Sequence, residues 1–190
     1  MSSRSSRSPA RGDSPYRMKS GAGRKRKHRQ QTPGEITTVR TALRYFLTNH
    51  DRILEERAQA LMFLGEIEAL ARSQKRLTDA TYRRDAYNVF SEEISQELRM
   101  LNLPHRSVYR GEHRVPVYDT RSISIEEIGG EAEGVLMAVV DSTTGLSTDK
   151  IVEMCRTIPA VRQAQLDEEV DLSTAIGISS VADLRNIVEE

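Results

Sequence analysis

The first 31 residues hold too few apolar side chains to build a hydrophobic core, which confines the folded part of the chain to the residues after them. Serine, glycine, proline and basic residues make up most of this segment. So little apolar surface cannot offset the entropy lost when a backbone is ordered. We therefore predict a disordered N-terminal arm over residues 1–31, called the arm below, followed by a folded body.

Charge is distributed unevenly along the chain, although the formal net charge is zero. Residues 1–31 contain ten Lys and Arg against one acid, a net charge of +9, whereas residues 119–190 contain five against fifteen, a net charge of −10. This asymmetry favours a polyanionic partner for the basic end. Head-to-tail self-association would use the same asymmetry and stays open.

The densest basic cluster lies near the end of the arm, where five fixed positive charges fall within six residues. That density is typical of a nuclear import signal or a nucleic-acid contact. Basic residues that neutralise phosphates release counterions, which gives salt-sensitive, sequence-independent affinity. We predict that nucleic-acid binding, DNA or RNA, or nuclear import depends on Arg24, Lys25, Arg26, Lys27 and Arg29, together with Arg11 and Arg17. A solubilising leader is the alternative interpretation.

A Ser-Pro-x-Arg pattern occurs twice in the arm, beginning at Ser8 and at Ser14. Serine followed by proline, with a basic residue two positions further on, is the pattern that proline-directed kinases recognise. Phosphorylation of both serines would add a charge of roughly −3 to −4. We predict that Ser8 and Ser14 are phosphorylation sites that weaken the arm's hold on nucleic acid.

Residues 32–103 show helical periodicity and predict three helices. The first is expected to begin with a capping box over residues 32–35 and to end near Asn49. The second follows Asp51 and includes Ile53 and Leu54 in its apolar stripe, with Glu66 and Glu68 on a polar face that we expect to be solvated.

The third predicted helix spans residues 79–101, with Thr78 as its N-cap. Its apolar stripe is our candidate self-association surface, formed by Tyr82, Phe90, Ile94 and Leu98. An ordinary core helix within the monomer is the alternative.

After Pro104 the apolar period changes to alternation. A hairpin over residues 107–119 is predicted, with Gly111 in its turn and Pro116 placing the second strand at a sheet edge. Gly134 to Ser142 reads as a strand buried on both faces, followed by a helix capped by Ser147 or Thr148. A second strand over residues 160–170 and a short helix from Ser180 to Val188 complete the pattern.

This succession of strand, helix and strand resembles one half of a ferredoxin-like domain, such as a small ligand-binding regulatory module. The resemblance implies an alternative function: ligand sensing by residues 105–171, with a ligand loop at Gly145, Ser147 and Thr148 and a targeting tail. The predicted fold class is α+β, with the arm, a helical region over 32–103 and a small α+β region over 104–190 that ends acidic.

Catalytic signatures are weak in this sequence. The four histidines, His28, His50, His105 and His113, do not form a ligand set, although the last two flank the hairpin and could approach each other. A single cysteine, Cys155, excludes an internal disulfide and a cysteine-based zinc site, and we expect it to be a small buried side chain. We predict no enzyme activity, cofactor or bound metal.

The sequence contains neither a secretory signal nor a long apolar run, so we expect no membrane association. Nuclear localisation is predicted, with cytoplasm or virion as alternatives. We predict a non-enzymatic nucleic-acid-associated assembly or scaffold protein whose body forms a homo-oligomer or docks a protein partner. A nuclear chromatin or RNA factor and a viral nucleocapsid or capsid subunit both fit this description.

Overall fold

The computed structural model describes residues 36–124, 127–175 and 180–189, so the arm and the predicted capping box over 32–35 lie outside it. Over the described ranges the fold is α+β, as predicted, and three of its helices lie within residues 32–103. The helices are α1 Val39–Thr48, α2 Glu55–Ser73, α3 Glu92–Met100, α4 Gly130–Thr143, α5 Thr148–Thr157, α6 Pro159–Gln163 and α7 Val181–Glu189. The strands are β1 Arg52–Leu54, β2 Arg83–Arg84, β3 Val89–Phe90, β4 His105–Arg110 and β5 His113–Asp119.

Helix α2 is the centre of the fold, because every residue from Ala58 to Leu70 is buried. It packs against α1, α4 and α5, and a helix that is covered on all sides has no solvated face. The prediction of solvated Glu66 and Glu68 is therefore wrong: their exposed fractions are 0% and 3%. Elements from both sides of residue 104 thus surround one helix.

The first helix begins later in the chain than predicted. Helix α1 is capped by Thr38, whose Oγ1 accepts from the Thr41 N–H at 3.2 Å. The N–H groups of Ile36 and Thr37 donate instead to the carbonyls of Arg76 and Leu77, at 3.1 and 2.9 Å. Contacts with a distant loop thus delay the start of the helix.

Residues 79–101 do not form one helix, and only Glu92–Met100 is helical. The segment before it forms the two-residue ladder β2–β3, closed by the Asp85 N–H donating to Asn88 O at 2.7 Å. The Arg84 N–H donates to Glu168 O at 2.9 Å, and Tyr82 O accepts from the Val170 N–H at 2.7 Å. These long-range hydrogen bonds override the apolar periodicity.

Two further strands predicted from apolar runs are helices. Residues 130–143 form α4 and residues 159–163 form α6, so the half ferredoxin-like unit is absent from the described fold. A short apolar run is equally compatible with a buried helix, and periodicity alone does not separate the two. Helix α5 is confirmed with Ser147 as its cap, and α7 is confirmed with both of its ends one residue later in the chain than predicted.

The three-stranded sheet has the antiparallel order β1–β5–β4. Its hairpin is confirmed, and Gly111 occupies the turn with a φ of 59°, a conformation that glycine adopts without strain. The edge position predicted for Pro116 is wrong, because β5 is the central strand. β1 pairs only with Val117 to Asp119, so Pro116 lies just outside that ladder. β1 also replaces the start of the predicted second helix.

Candidate nucleic-acid interface

The residues that carry the strongest sequence signal lie outside the described residues. These are the predicted phosphate-binding cluster and the two predicted phosphorylation sites. What the structure adds is the surface of the body.

The predicted self-association residues are largely internal to one chain. Tyr82, Ile94 and Leu98 have exposed fractions of 1%, 0% and 0%, and Tyr82 makes an edge contact with the Phe63 ring at 5.1 Å. Phe90 is partly buried beneath the Arg83 guanidinium, 4.9 Å from the ring centroid. These positions correspond to the alternative interpretation, packing within the monomer.

His50 is a structural residue. Its Nδ1 lies 2.9 Å from Phe46 O, and its Nε2 lies 3.1 Å from Arg57 Nε. One neutral tautomer satisfies both contacts, with Nδ1–H donating and Nε2 accepting. Burial lowers the pKa of His50, which favours the same neutral form.

The two histidines of the hairpin do not meet. His105 pairs with Tyr118 at the open end, and His113 pairs with Arg110 beside the turn. Over the described ranges, no group of three His, Cys, Asp or Glu side chains is arranged to hold a metal ion.

Cys155 is buried, as predicted, with its Sγ 3.8 Å from Ala60 O. Burial raises its pKa well above the ordinary thiol range, so the unreactive thiol form is favoured.

The loop at Gly145, Ser147 and Thr148 is the alternative ligand site. Its polar groups already form hydrogen bonds within the protein. The Ser147 side chain caps α5 by accepting from the Lys150 N–H at 3.3 Å. Arg57 Nη1 donates to Leu146 O at 2.8 Å. These contacts use polar groups that a ligand would otherwise need.

The hairpin of β4 and β5 carries exposed basic side chains on both of its sides. Residues 104–118 include three arginines against one acid, Glu112. Arg110 is engaged by Glu56, at 3.2 Å, and by Asp149. Arg106 and Arg114 are exposed, and neither guanidinium forms a hydrogen bond or ion pair with another described residue.

Tyr109 is 74% exposed, more than any other large apolar side chain of the described ranges. It lies opposite Arg114 in the ladder, and the Arg114 Cζ is 6.0 Å from the centre of its ring. That distance is within the range of a cation–π contact. The pair therefore presents an aromatic ring and a positive charge together.

A third exposed arginine lies on β1, where its charge acts on the Asp119 carboxylate without a direct ion pair. Arg52 is opposite Asp119, whose carboxylate is engaged by Arg121 Nε at 2.9 Å, and this contact lowers the pKa of Asp119 to about 2. Arg52 lines a cavity of about 410 Å³ with His50, Asp51 and Arg121, and another of about 180 Å³ that includes Arg106. We call Arg52, Arg106 and Arg114 the sheet arginines.

Sequence reasoning missed this surface. The run HRSVYRGEHR over residues 105–114 contains three arginines, two histidines and one tyrosine, and that composition was a visible signal. Exposure and the lack of acidic partners emerged only from the fold.

No family model, curated protein or solved structure matches the chain. Over the described residues, no helix combines the length and the apolar character needed to cross a bilayer.

Proposed function

We propose that this is a non-enzymatic nucleic-acid-associated assembly or scaffold protein. The observation that carries the proposal is the charge of the arm, with ten basic residues against one acid over residues 1–31. Contacts to phosphates supply most of the affinity of sequence-independent nucleic-acid binding. The arm neutralises phosphates, and the folded body mediates self-association or docks a partner in a nuclear chromatin or RNA complex, or in a viral capsid.

The body supports the proposal through the sheet arginines. A surface arginine without an acidic partner is available to phosphate, whereas an arginine already paired with a carboxylate must first lose that partner. Residues 119–190 carry a net charge of −10 and repel a polyanion. Nucleic acid therefore contacts the arm and the sheet arginines, and the acidic residues 119–190 are available to protein partners.

The test is a titration of labelled single-stranded and duplex oligonucleotides with the full chain at several salt concentrations. The arm-neutralised variant carries R24Q, K25Q, R26Q, K27Q and R29Q. Loss of five phosphate contacts is expected to reduce the slope of log affinity against log salt by about 3.5 on a single strand and about 4.5 on a duplex.

The matched control is Arg162→Gln, which removes one exposed cation of α6 and should leave the slope unchanged. An unchanged slope in the arm-neutralised variant, or no binding by the native chain at about 0.1 M salt, contradicts the proposal. In that case, stabilisation of the chain by amino acids or nucleotides in a thermal shift would favour the ligand-sensing alternative.

A further inference from the structure

We propose that the solvent face of the β4–β5 hairpin near its turn stacks unpaired bases, so that the body selects single-stranded over duplex nucleic acid. This inference rests on the proposed function and specifies its substrate class. Tyr109 is the stacking residue, and Arg114 is the cation beside it.

The register of the hairpin determines which side chains share this face. Residues that pair across an antiparallel ladder point to the same side of the sheet. Tyr109 and Arg114 are partners, whereas Val108 and Val115 are partners on the opposite side. Val115 is 7% exposed and Tyr109 is 74% exposed, so near the turn the side that carries Tyr109 faces solvent.

The geometry of the pair suits a base. An aromatic ring on which bases stack contributes affinity that is tolerant of sequence, because every base has a π-face. The Arg114 guanidinium lies over one face of the Tyr109 ring, 6.0 Å from its centroid, so the other face is the one on which a base would stack, with positive charge close by.

A second ring lies further along β4 on the same face. His105 is exposed and contacts the Tyr118 ring, with 5.6 Å between the ring centroids. It is four residues from Tyr109, which corresponds to roughly 13 Å along a strand. Ser107 lies between the two positions, and the exposed part of this side ends at His105, because its ladder partner Tyr118 is 6% exposed.

Charge complementarity identifies the occupant. On the side that carries Tyr109, the exposed Arg114 forms no ion pair with another described residue, which favours a polyanion over a neutral or basic partner surface. In a duplex the bases are already stacked and paired, so Tyr109 could reach one only by paying for its extrusion. A single strand offers its bases at no such cost.

The experiment compares Tyr109→Ala with Tyr109→Phe in the full chain, using a labelled single strand and its duplex as probes in fluorescence anisotropy. Tyr109→Ala is expected to weaken single-strand binding about tenfold and to leave duplex binding unchanged. Tyr109→Phe should retain single-strand affinity, because the ring is kept. The control is Met137→Ala, which truncates a side chain that is 52% exposed on α4 and should affect neither probe.

Unchanged single-strand affinity in Tyr109→Ala, or equal losses on both probes, overturns this inference. If the native chain binds and the arm-neutralised variant binds less, the proposed function survives that result. If the native chain binds neither probe, both the proposed function and this inference fail.

Discussion

Charged side chains are buried and paired in helix α2, whereas in the β4–β5 hairpin some are exposed and unpaired. The α2 carboxylate of Glu66 is fully buried and accepts from the N–H groups of Leu77 and Thr78, the Thr78 hydroxyl and Arg76 Nε, at 2.6 to 3.1 Å. In the hairpin, Arg106 and Arg114 are exposed and their guanidinium groups engage no described acid. Buried, fully paired charge holds segments together, whereas exposed, unpaired charge is available to a ligand.

The same contrast extends along α2. Glu68 accepts from the Val181 N–H at 2.9 Å, at the N-terminus of α7, and from Arg72 Nε at 2.6 Å. The Gln59 side chain accepts from the Ser91 N–H and donates to Ser91 O, both at 3.0 Å, just before α3. Three polar side chains of one buried helix thus fix three distant segments. Changes in α2 should affect folding, and changes in the hairpin should affect binding.

The largest effect is expected at Glu66. Glu66→Gln replaces an acceptor with a donor among groups that already donate, and it leaves the Arg76 side chain without its buried anion. We expect a loss of about 3–5 kcal/mol in the free energy of unfolding, measured by urea denaturation. Glu131→Gln, which removes an exposed partner of Lys75, is the control and should change it by no more than about 0.5 kcal/mol.

A loss below about 1 kcal/mol for Glu66→Gln would break the contrast between α2 and the hairpin. It would mean that the buried carboxylate can be replaced without reorganisation of the loop at residues 77–78.

The next effect concerns the close approach of that loop to α2. A Cβ on Gly65 would lie 2.7 Å from Leu77 Cδ2, and Leu77 is fully buried. Overpacking costs about 1–3 kcal/mol, which exceeds the gain of up to about 1 kcal/mol from replacing a helical glycine with alanine. Gly65→Ala should therefore destabilise the chain in thermal denaturation. The double variant with Leu77→Val should recover part of the loss, and strict additivity would contradict the proposed contact.

A smaller, pH-dependent effect is expected from His50. Because its pKa is lowered in the folded chain, the unfolded chain binds more protons as the pH falls below the ordinary histidine pKa. The stability contributed by neutral His50 is complete above that value and is lost as the pH falls through the lowered pKa. Between about pH 7.5 and pH 5.5, His50→Asn should remove about 1 kcal/mol or less of this dependence. The control is His113→Asn, at an exposed position where the ring contacts the Tyr87 side chain and no buried group.

The smallest effect on stability is expected at the sheet arginines. The double change Arg52→Gln and Arg106→Gln should alter the free energy of unfolding by no more than about 0.5 kcal/mol. It should nevertheless lower the salt slope on single strands by about 1.4, as expected for two lost phosphate contacts. An unfolding change as large as that of Glu66→Gln would show that these arginines serve the fold.

Local signals predicted part of the fold. The alternation around Gly111 predicted the hairpin, and the serine before residue 148 predicted the cap of α5. Features that depend on distant partners were not predictable. The donors to Glu66 come from residues 76 to 78, and one of the donors to Glu68 comes from residue 181. Hydrogen bonds of Tyr82 and Arg84 with residues 170 and 168 favour a ladder over the helix that the periodicity predicted.

The candidate interface likewise has one part that the sequence predicts and one part that only the structure shows. The arm is a prediction from composition alone, since its density of basic residues needs no tertiary information. The sheet arginines could be identified only from the structure. The sequence does not show that Arg110 forms ion pairs with Glu56 and Asp149, whereas Arg106 and Arg114 form none with the described residues.

The most direct test of nucleic-acid association is size-exclusion chromatography of the full chain, purified from cells at low salt, with ultraviolet absorbance and light scattering recorded together. We predict that nucleic acid co-elutes with the chain at a mass above that of the monomer, and that high salt removes it. Monomeric material free of nucleic acid at low salt would contradict the account.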